Sequence, residues 1–467
     1  MVRCFASLCF SLFFGLVHAQ AAESPAAPPG EVTASTYSAN LMQLYRESRL
    51  EDPRVLAAYA RAQAGKERER EAFGGLLPQV TASSSFNRTN RDVETYTESF
   101  NNERYALSLS QHLYNKQAWE NYQEFKARAR QGEYEAEDAQ AEATVDLAQR
   151  YFVALASDDE LELVLAERRA TQKNLDRVEA MYERQLAMVT DVLDLRARVD
   201  ALAAQEVEAR NQVRVSREEL SEIIGRPVTE RLSRIREDVE LQVPGESVSV
   251  WVERAVAANP ALKAQEQALA AAEAALREGR GGHYPSVSLN LSAQRSDVGY
   301  DNTLAPRSDS YVASLGVQIP IYSGGSTSAR SRALYNDRLS TEQQMEAVRR
   351  EVVKETTSAY LTAQASIEKI RASRNALESA ERSSVAAERG FEFGVVNAVD
   401  VLTAVQNEYK ARRDLLKAQY DFITNLLILN RWAGGLSEQS VANVNLWLAR
   451  GESARALEEK QRNEHEQ

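Results

Sequence analysis

The sequence predicts a mainly α-helical protein with a β-barrel contribution: long antiparallel helical columns, and four strands that need other copies of the chain to close them. Three observations carry this prediction. The chain of 467 residues is written twice. Pro53 and Pro78 recur 207 residues later as Pro260 and Pro285, and Tyr151 and Asp191 recur 209 residues later as Tyr360 and Asp400. A near-constant offset marks an internal duplication, so each half is one structural unit. Proline is absent between Pro78 and Pro227 and again after Pro320. Those spans are rich in Ala, Glu, Arg, Gln and Leu, which are good helix formers. Finally, four short segments alternate apolar and polar residues with period two, the pattern of a half-exposed strand.

The N-terminus reads as a secretory signal over residues 1–19. Arg3 supplies the positive start, Cys4 to Val17 is an apolar run, and Val17-His18-Ala19 offers a cleavage site before Gln20. The run is too short for an anchoring helix. Both cysteines, Cys4 and Cys9, leave with it, so the mature chain is expected to lack disulfides and thiolate metal sites. Residues 21–36, with Pro25, Pro28 and Pro29, read as a flexible leader. No later apolar stretch is long enough for a transmembrane helix. Export therefore ends in the periplasm, outside the cell, or in an outer membrane entered by strands. A net charge of −12 argues against a nucleic-acid partner.

The first repeat spans 20–225 and the second 247–434, with 226–246 between them and 435–467 after. Each begins with a short helix, about Tyr37 to Phe73 and about Ser247 to Arg280. Each continues into a long one, Asn115 to Arg184 and Gly325 to Glu392. A helix of about 70 residues is roughly 100 Å long, which no compact core requires. The long helices stop at Gln185-Leu186-Ala187-Met188-Val189 and at Phe393-Gly394-Val395-Val396-Asn397, where Gly394 suits a left-handed helix end. Shorter helices follow, Thr190 to Ile224 and Ala398 to Ala433, with Thr190 as the expected N-cap. Two short helices end to end match one long one, which gives antiparallel columns with one member continuous and one in two pieces.

The strand pairs lie between the first short helix and the long helix. Val80, Ala82, Ser84 and Phe86 share a parity, as do Tyr105, Leu107 and Leu109; in the second half Val287, Leu289 and Leu291 match Ala313, Leu315, Val317 and Ile319. Segments of about ten residues suit a tilted outer-membrane strand, with Leu289, Leu315, Val317 and Ile319 toward lipid. The linkers Asn90 to Glu103 and Ser296 to Asp309 read as polar loops. An ordinary two-sheet protein would show the same alternation, but helices this elongated do not supply its core. Four strands cannot close a membrane barrel, since the smallest single-chain ones have about eight. Open edges in lipid leave unpaired backbone groups, so two, three or four copies must close the sheet together.

The order of signal, helix, strand pair, long helix and short helix, repeated, resembles the TolC-type outer-membrane efflux proteins over nearly the whole mature chain. The stretches that carry the likeness are Leu41-Met42-Gln43-Leu44-Tyr45, Leu76-Leu77-Pro78-Gln79, Ile319 to Gly325, and Gly390 to Gly394 leading into Val399-Asp400-Val401-Leu402. The resemblance implies a homotrimer with four strands per protomer in a shared twelve-stranded barrel. It also implies a helical tunnel crossing the periplasm to coiled-coil tips, and a belt formed by 226–246 and the segment after Gly435. As partners it implies a periplasmic adaptor (membrane fusion) protein, an inner-membrane pump or ABC transporter, and outer-membrane lipid. The expected function is a passive exit duct for efflux or type I secretion. A periplasmic coiled-coil adaptor or scaffold without a pore is the alternative, and it has no reason to present apolar faces on all four strands.

Single residues then acquire expected roles. Asp400 matches an acidic ring at the family's pore constriction, and an acid in a first helical turn also favours the helix dipole. The family's second acid falls at Thr403. Thr190 and Asp191 match the periplasmic gate. Their usual partners, an aromatic hydroxyl and an arginine, fall at Phe391 and Val396, so closure is expected to rest more on apolar packing at Phe391 and on Thr190 and Asp191. Asp194 reads as a solvated helix residue. Phe86, Tyr105, Tyr114, Tyr311 and Tyr322 are either interfacial aromatics or ordinary strand residues. No catalytic, cofactor or metal site is expected: His112, His283 and His465 have no ligand spacing, Gly279 to Gly282 does not follow a strand, and Asp158-Asp159 reads as a solvated pair.

Overall fold

The computed structural model describes residues 38–236, 239, 241–242, 245–298 and 307–448. The expected signal and leader, residues 449–467 of the segment after the second repeat, part of the inter-repeat segment and the middle of the second strand linker lie outside them. The elements run β1 (Ser38–Ala39), α1 (Leu41–Glu51), α2 (Pro53–Gly74), β2 (Gln79–Val93), β3 (Tyr96–Tyr114), α3 (Lys116–Glu183), α4 (Val189–Ile224) and β4 (Arg231–Leu232). They continue with α5 (Val248–Ala258), α6 (Pro260–Gly281), β5 (Ser286–Val298), β6 (Ser308–Gln318), α7 (Ser326–Glu392), α8 (Ala398–Trp432) and α9 (Glu438–Asn445). No described helix is long and apolar enough to cross a membrane.

The expected single short helix of each repeat is two helices. Asp52 and Asn259 cap α2 and α6, each accepting a bond from a first-turn backbone N–H, and Pro53 and Pro260 take the first helical position. Proline has no N–H to continue the preceding helix but suits the start of a new one. The long helices match their expected limits closely: α3 has 68 residues and α7 has 67. Thr190 is not the N-cap of α4. That place belongs to Met188, whose backbone N–H donates to Asp191 Oδ2 at 3.2 Å. Methionine cannot cap, so the acid three residues on reaches back instead.

Four strands form one antiparallel sheet in the order β2-β3-β5-β6. The expected loop from Asn90 to Glu103 is absent. Pairing continues to Val93 and Tyr96 around a two-residue turn, Glu94-Thr95. Polar residues there reflect an extension with no apolar face to bury, not a break in the ladder.

The helices pack as columns. The upper half of α3 lies between α2 and α6, the lower half against α4, and α8 packs on both α3 and α7. Gly65 and Gly132 face Ala129 and Ala62 across the α2–α3 contact, where a Cβ would stand 3.5 Å from the opposite Cα. The largest core sits midway, where α1, α9 and the β1–β4 pair wrap one face of the columns. Leu41 and Leu44 of α1 meet Tyr151 and Leu155 of α3, Leu220 and Ile224 of α4, and Phe422, Ile423 and Leu427 of α8. Each such side chain contributes about 1.5–3 kcal/mol by leaving water. Tyr151 Oη donates to the Ser233 carbonyl at 2.8 Å, which ties the belt to the long helix.

Candidate functional site

The sheet has two chemically distinct faces. Val80, Leu109, Leu291 and Ala313 stand in one cross-strand row, and Ala82, Leu107, Ala293 and Tyr311 in the next. Gln111, Leu289 and Leu315 form a third row on that face, and Tyr114, Val287 and Val317 a fourth, after a bulge in β3. The opposite face carries Gln79, Ser110, Asn290 and Ser314, then Thr81, Ser108, Ser292 and Val312. One mainly apolar face thus crosses all four strands, interrupted by Gln111 below and ending above at the row of Ser84, Tyr105, Arg295 and Asp309. It is not covered: Leu315 is 64% and Val317 60% exposed. Leu289, Leu315 and Val317 share this face by register. Ile319 keeps the parity but lies one residue past β6. Among the described residues, the strands at either side, β2 and β6, have no partner along their outer edges.

At the far end of the columns the α3–α4 and α7–α8 turns pack on each other. Leu175, Val178, Val192, Leu195 and Val199 of the first hairpin form one buried cluster with Ala398 of the second, and Phe391 and Leu402 lie against it. Phe391 therefore contributes apolar contact, as its side chain dictates. Gly390 is required beside it, because a Cβ there would stand 2.6 Å from Val396 Cγ2. Thr190 is exposed, and Asp191 is spent on the Met188 N–H. Asp400 occupies the equivalent place in the second hairpin, but Asn397 caps α8 by accepting from the Asp400 N–H at 2.8 Å. The Asp400 carboxylate is left exposed and without a hydrogen bond or ion pair among the described residues. Thr403 turns its hydroxyl to the Val399 carbonyl. One ion pair joins the hairpins near the tips, Arg177 to Glu392 at 3.8 Å; exposed as it is, it contributes less than about 1 kcal/mol.

Higher on the α3–α8 interface lies a charged seam that sequence reasoning missed. Asp158 and Asp159 are not a solvated pair. Asp158 binds Arg217 at 2.6 Å. Asp159 is buried, accepts from the Tyr420 hydroxyl of α8, and pairs with Arg234 of the belt at 2.9 Å. Burial pushes the Asp159 carboxyl above its ordinary range, against the pull of Tyr420 and Arg234. The same burial pushes the Tyr420 phenol up. Two turns below, Arg413 of α8 lies 2.9 Å from Glu160 and 2.8 Å from Glu167. Glu167 is fully buried and also binds Arg198 of α4. The signal available in the sequence was the placement of Tyr420 and Arg413 one helical face apart, opposite acids of the other repeat. No clustered metal ligands occur among the described residues.

The model of the outer membrane efflux protein family matches residues 44–226 and 251–435, one match per repeat. The chain is 29% identical over 422 residues to outer membrane protein TolC of Vibrio cholerae serotype O1, covering 90% of this chain and 96% of that protein. It is 27% identical to the alkaline protease secretion protein AprF of Pseudomonas aeruginosa, over 89% of each chain. The crystal structure of CusC superposes with a TM-score of 0.76 over 85% of this chain and 92% of the other, at 18% identity, a likeness of fold. The chain belongs to the outer membrane efflux protein family: it is a TolC-type outer-membrane channel with a periplasmic extension, and not an enzyme.

Proposed function

We propose that three copies of the chain close their sheets into one twelve-stranded barrel, and that the columns form a passive duct through the periplasm. The observation that carries this is the sheet itself: an uncovered, mainly apolar face with two edges unpaired among the described residues. Each unpaired backbone group in lipid costs several kcal/mol, so β6 of one copy needs β2 of the next. In this arrangement Leu289, Leu315, Val317 and Ile319 face lipid and the serine-rich face lines the pore. The belt lies outside, since three belts inside would fill the duct. A pore-less adaptor would gain nothing from such a sheet.

The duct has no energy source of its own, so we assign it an energised inner-membrane pump or ABC transporter, reached through a periplasmic adaptor. Apolar side chains at the tips favour a protein partner there: Phe393 is 82%, Val395 78% and Met188 69% exposed. Resemblance to a protease secretion protein adds polypeptides to small molecules as cargo. The test is the native mass of the protein extracted from outer membranes, with planar-bilayer conductance of the same sample. A trimer that conducts supports the reading; a monomer or a non-conducting oligomer removes it.

A further inference from the structure

We propose that the groove between α2 and α3, directly beneath the sheet, binds the headgroup phosphate of an anionic phospholipid in the periplasmic leaflet of the outer membrane. The groove has a volume of about 450 Å³; four cations, Lys66, Arg70, Lys126 and Arg130, line it with two acids, Glu69 and Glu133, and the rings of Phe73 and Tyr122. Its two walls are the segments that leave the sheet: α2 runs up into β2, and α3 runs down from β3.

The order of chemistry down the groove matches the order of a leaflet. Phe73 stands beside the end of α2, and its ring meets Tyr122 with centroids 5.4 Å apart. Trp119, about half exposed, meets Tyr122 from the other side at 5.9 Å. Aromatic rings of this kind settle at the boundary between hydrocarbon and headgroups. The cations come next. Lys126 and Arg130 lie about 15 and 21 Å below Lys116 along the helix axis. Their side chains lean toward the helix N-terminus, which in α3 is toward the sheet. A lysine reaches several ångströms further, so the Lys126 ammonium arrives at the periplasmic edge of the headgroup layer, with Arg130 one turn lower.

The pairing of charges leaves these two available. Lys66 is held by Glu133 at 2.8 Å and Arg70 by Glu67 at 2.5 Å. Lys126 lies over the Tyr122 ring at 5.9 Å, and neither it nor Arg130 has a carboxylate partner among the described residues. The groove also faces the right way. Tyr122, Lys126, Glu133, Glu137, Gln140, Thr144 and Tyr151 follow one another at steps of three, four or seven, so they share one face of α3. Tyr151 on that face carries the belt. Resting on the proposed trimer with its belt outside, this face is the outer one, where lipid can reach it.

The experiment uses full-length protein extracted from membranes and offered an equimolar mixture of phosphatidylglycerol and phosphatidylethanolamine with matched chains. Bound lipids are counted by native mass spectrometry. A juxtamembrane cation contributes about fivefold, so phosphatidylglycerol should be favoured by roughly tenfold or more. Lys126→Gln with Arg130→Gln should bring the two lipids to near parity. Arg350→Gln with Lys354→Gln, the same charge change far down α7, should keep the preference. No preference in the unaltered protein, a preference retained by the groove variant, or an equal loss in both variants overturns the proposal. So does displacement of the lipid by millimolar inorganic phosphate, which would mark a free-anion site. Should the double variant fail to assemble, Lys126→Gln alone is read, and an unchanged preference there also overturns it.

Discussion

Gln185 and Gly394 hold the same left-handed backbone at the two hairpin tips, with φ of 65° and 74°. Each follows a long helix whose last carbonyls are taken up in the same way: Leu186 N–H donates to Met181 O, and Val395 N–H to Gly390 O, both at 2.9 Å. The duplicated turn is one motif, yet only the second copy has the residue that suits it. Gln185 is the one described non-glycine residue at positive φ.

A non-glycine residue in this conformation costs about 1–2 kcal/mol, and glycine's extra freedom in the unfolded chain returns part of that. Gln185→Gly should therefore stabilise the first tip by about 0.5–1 kcal/mol, and Gly394→Ala should destabilise the second by about 1 kcal/mol or more. Amide exchange of the tip residues reads both. Slower exchange around Gln185→Gly and faster exchange around Gly394→Ala are expected. Equal protection in both variants and the parent would mean the turns open without regard to φ.

The barrel register gives a paired test. Leu315 and Ser314 are neighbours in β6 but stand on opposite faces, opposite Leu289 and Asn290. An arginine on the lipid face near the membrane midplane costs about 2–4 kcal/mol, while one on the pore face is tolerated. Leu315→Arg should strongly reduce assembled oligomer in outer membranes, and Ser314→Arg should leave it near the parent level. Similar yields of the two would put the apolar face elsewhere than in lipid.

Much of this was legible because it depends on local pattern. Helix length follows from the missing prolines, the break at Gly394 from glycine's freedom, and the shared face of Leu289, Leu315 and Val317 from strand parity. What escaped depends on contacts distant in sequence. Asp159 looks solvated until Tyr420 and Arg234, 261 and 75 residues away, close over it. The polar run from Asn90 to Glu103 looks like a loop because its strands extend beyond any apolar partner. The split at Asp52-Pro53 is a local signal too, a proline at a first helical position, but the length match between the helices points to one continuous helix.

The Asp159 seam should make stability depend on acid in an unusual direction. Its folded pKa is raised by burial, so the native state binds the proton more readily than the unfolded chain. The stabilisation is present in full below the ordinary carboxyl range and is lost as pH rises through the raised value. Relative to Asp159→Asn, the parent should gain thermal stability as pH falls toward about 4. Glu160 is raised by burial as well, so the comparison between parent and variant isolates Asp159. A parent that lost stability relative to the variant over that range would show that Arg234 and Tyr420 outweigh burial.

At the tip, Phe391 lies against the cluster that unites both hairpins, while Arg177 and Glu392 are exposed and 3.8 Å apart. Apolar contact survives salt and exposed ion pairs do not. Phe391→Ala should raise planar-bilayer conductance more than an increase in salt does, after correction for bulk conductivity. Full opening by salt alone would place the latch in ionic contacts.

Asp400 gives the last prediction, and its contrast with Asp191 supplies the reason. Both acids stand in the first turn of the helix after a tip. Met188 offers no side-chain cap, so Asp191 accepts its N–H. Asn397 caps α8 itself, and the Asp400 carboxylate has no such task. An acid kept for the helix dipole alone is worth a few tenths of a kcal/mol. Three free carboxylates around a narrow opening do more, attracting cations and opposing bulky anions. Asp400→Ala should lower cation preference and weaken block by multivalent cations while the oligomer assembles normally. Asp194→Ala, exposed on α4, should change selectivity little. Asp191→Ala should loosen the start of α4 by about 1 kcal/mol, with a smaller effect on selectivity than Asp400→Ala. Reversal potentials in a salt gradient compare the three. If Asp400→Ala left the potential unchanged, the free carboxylate would be a helix-start acid and the constriction would lie elsewhere along the duct.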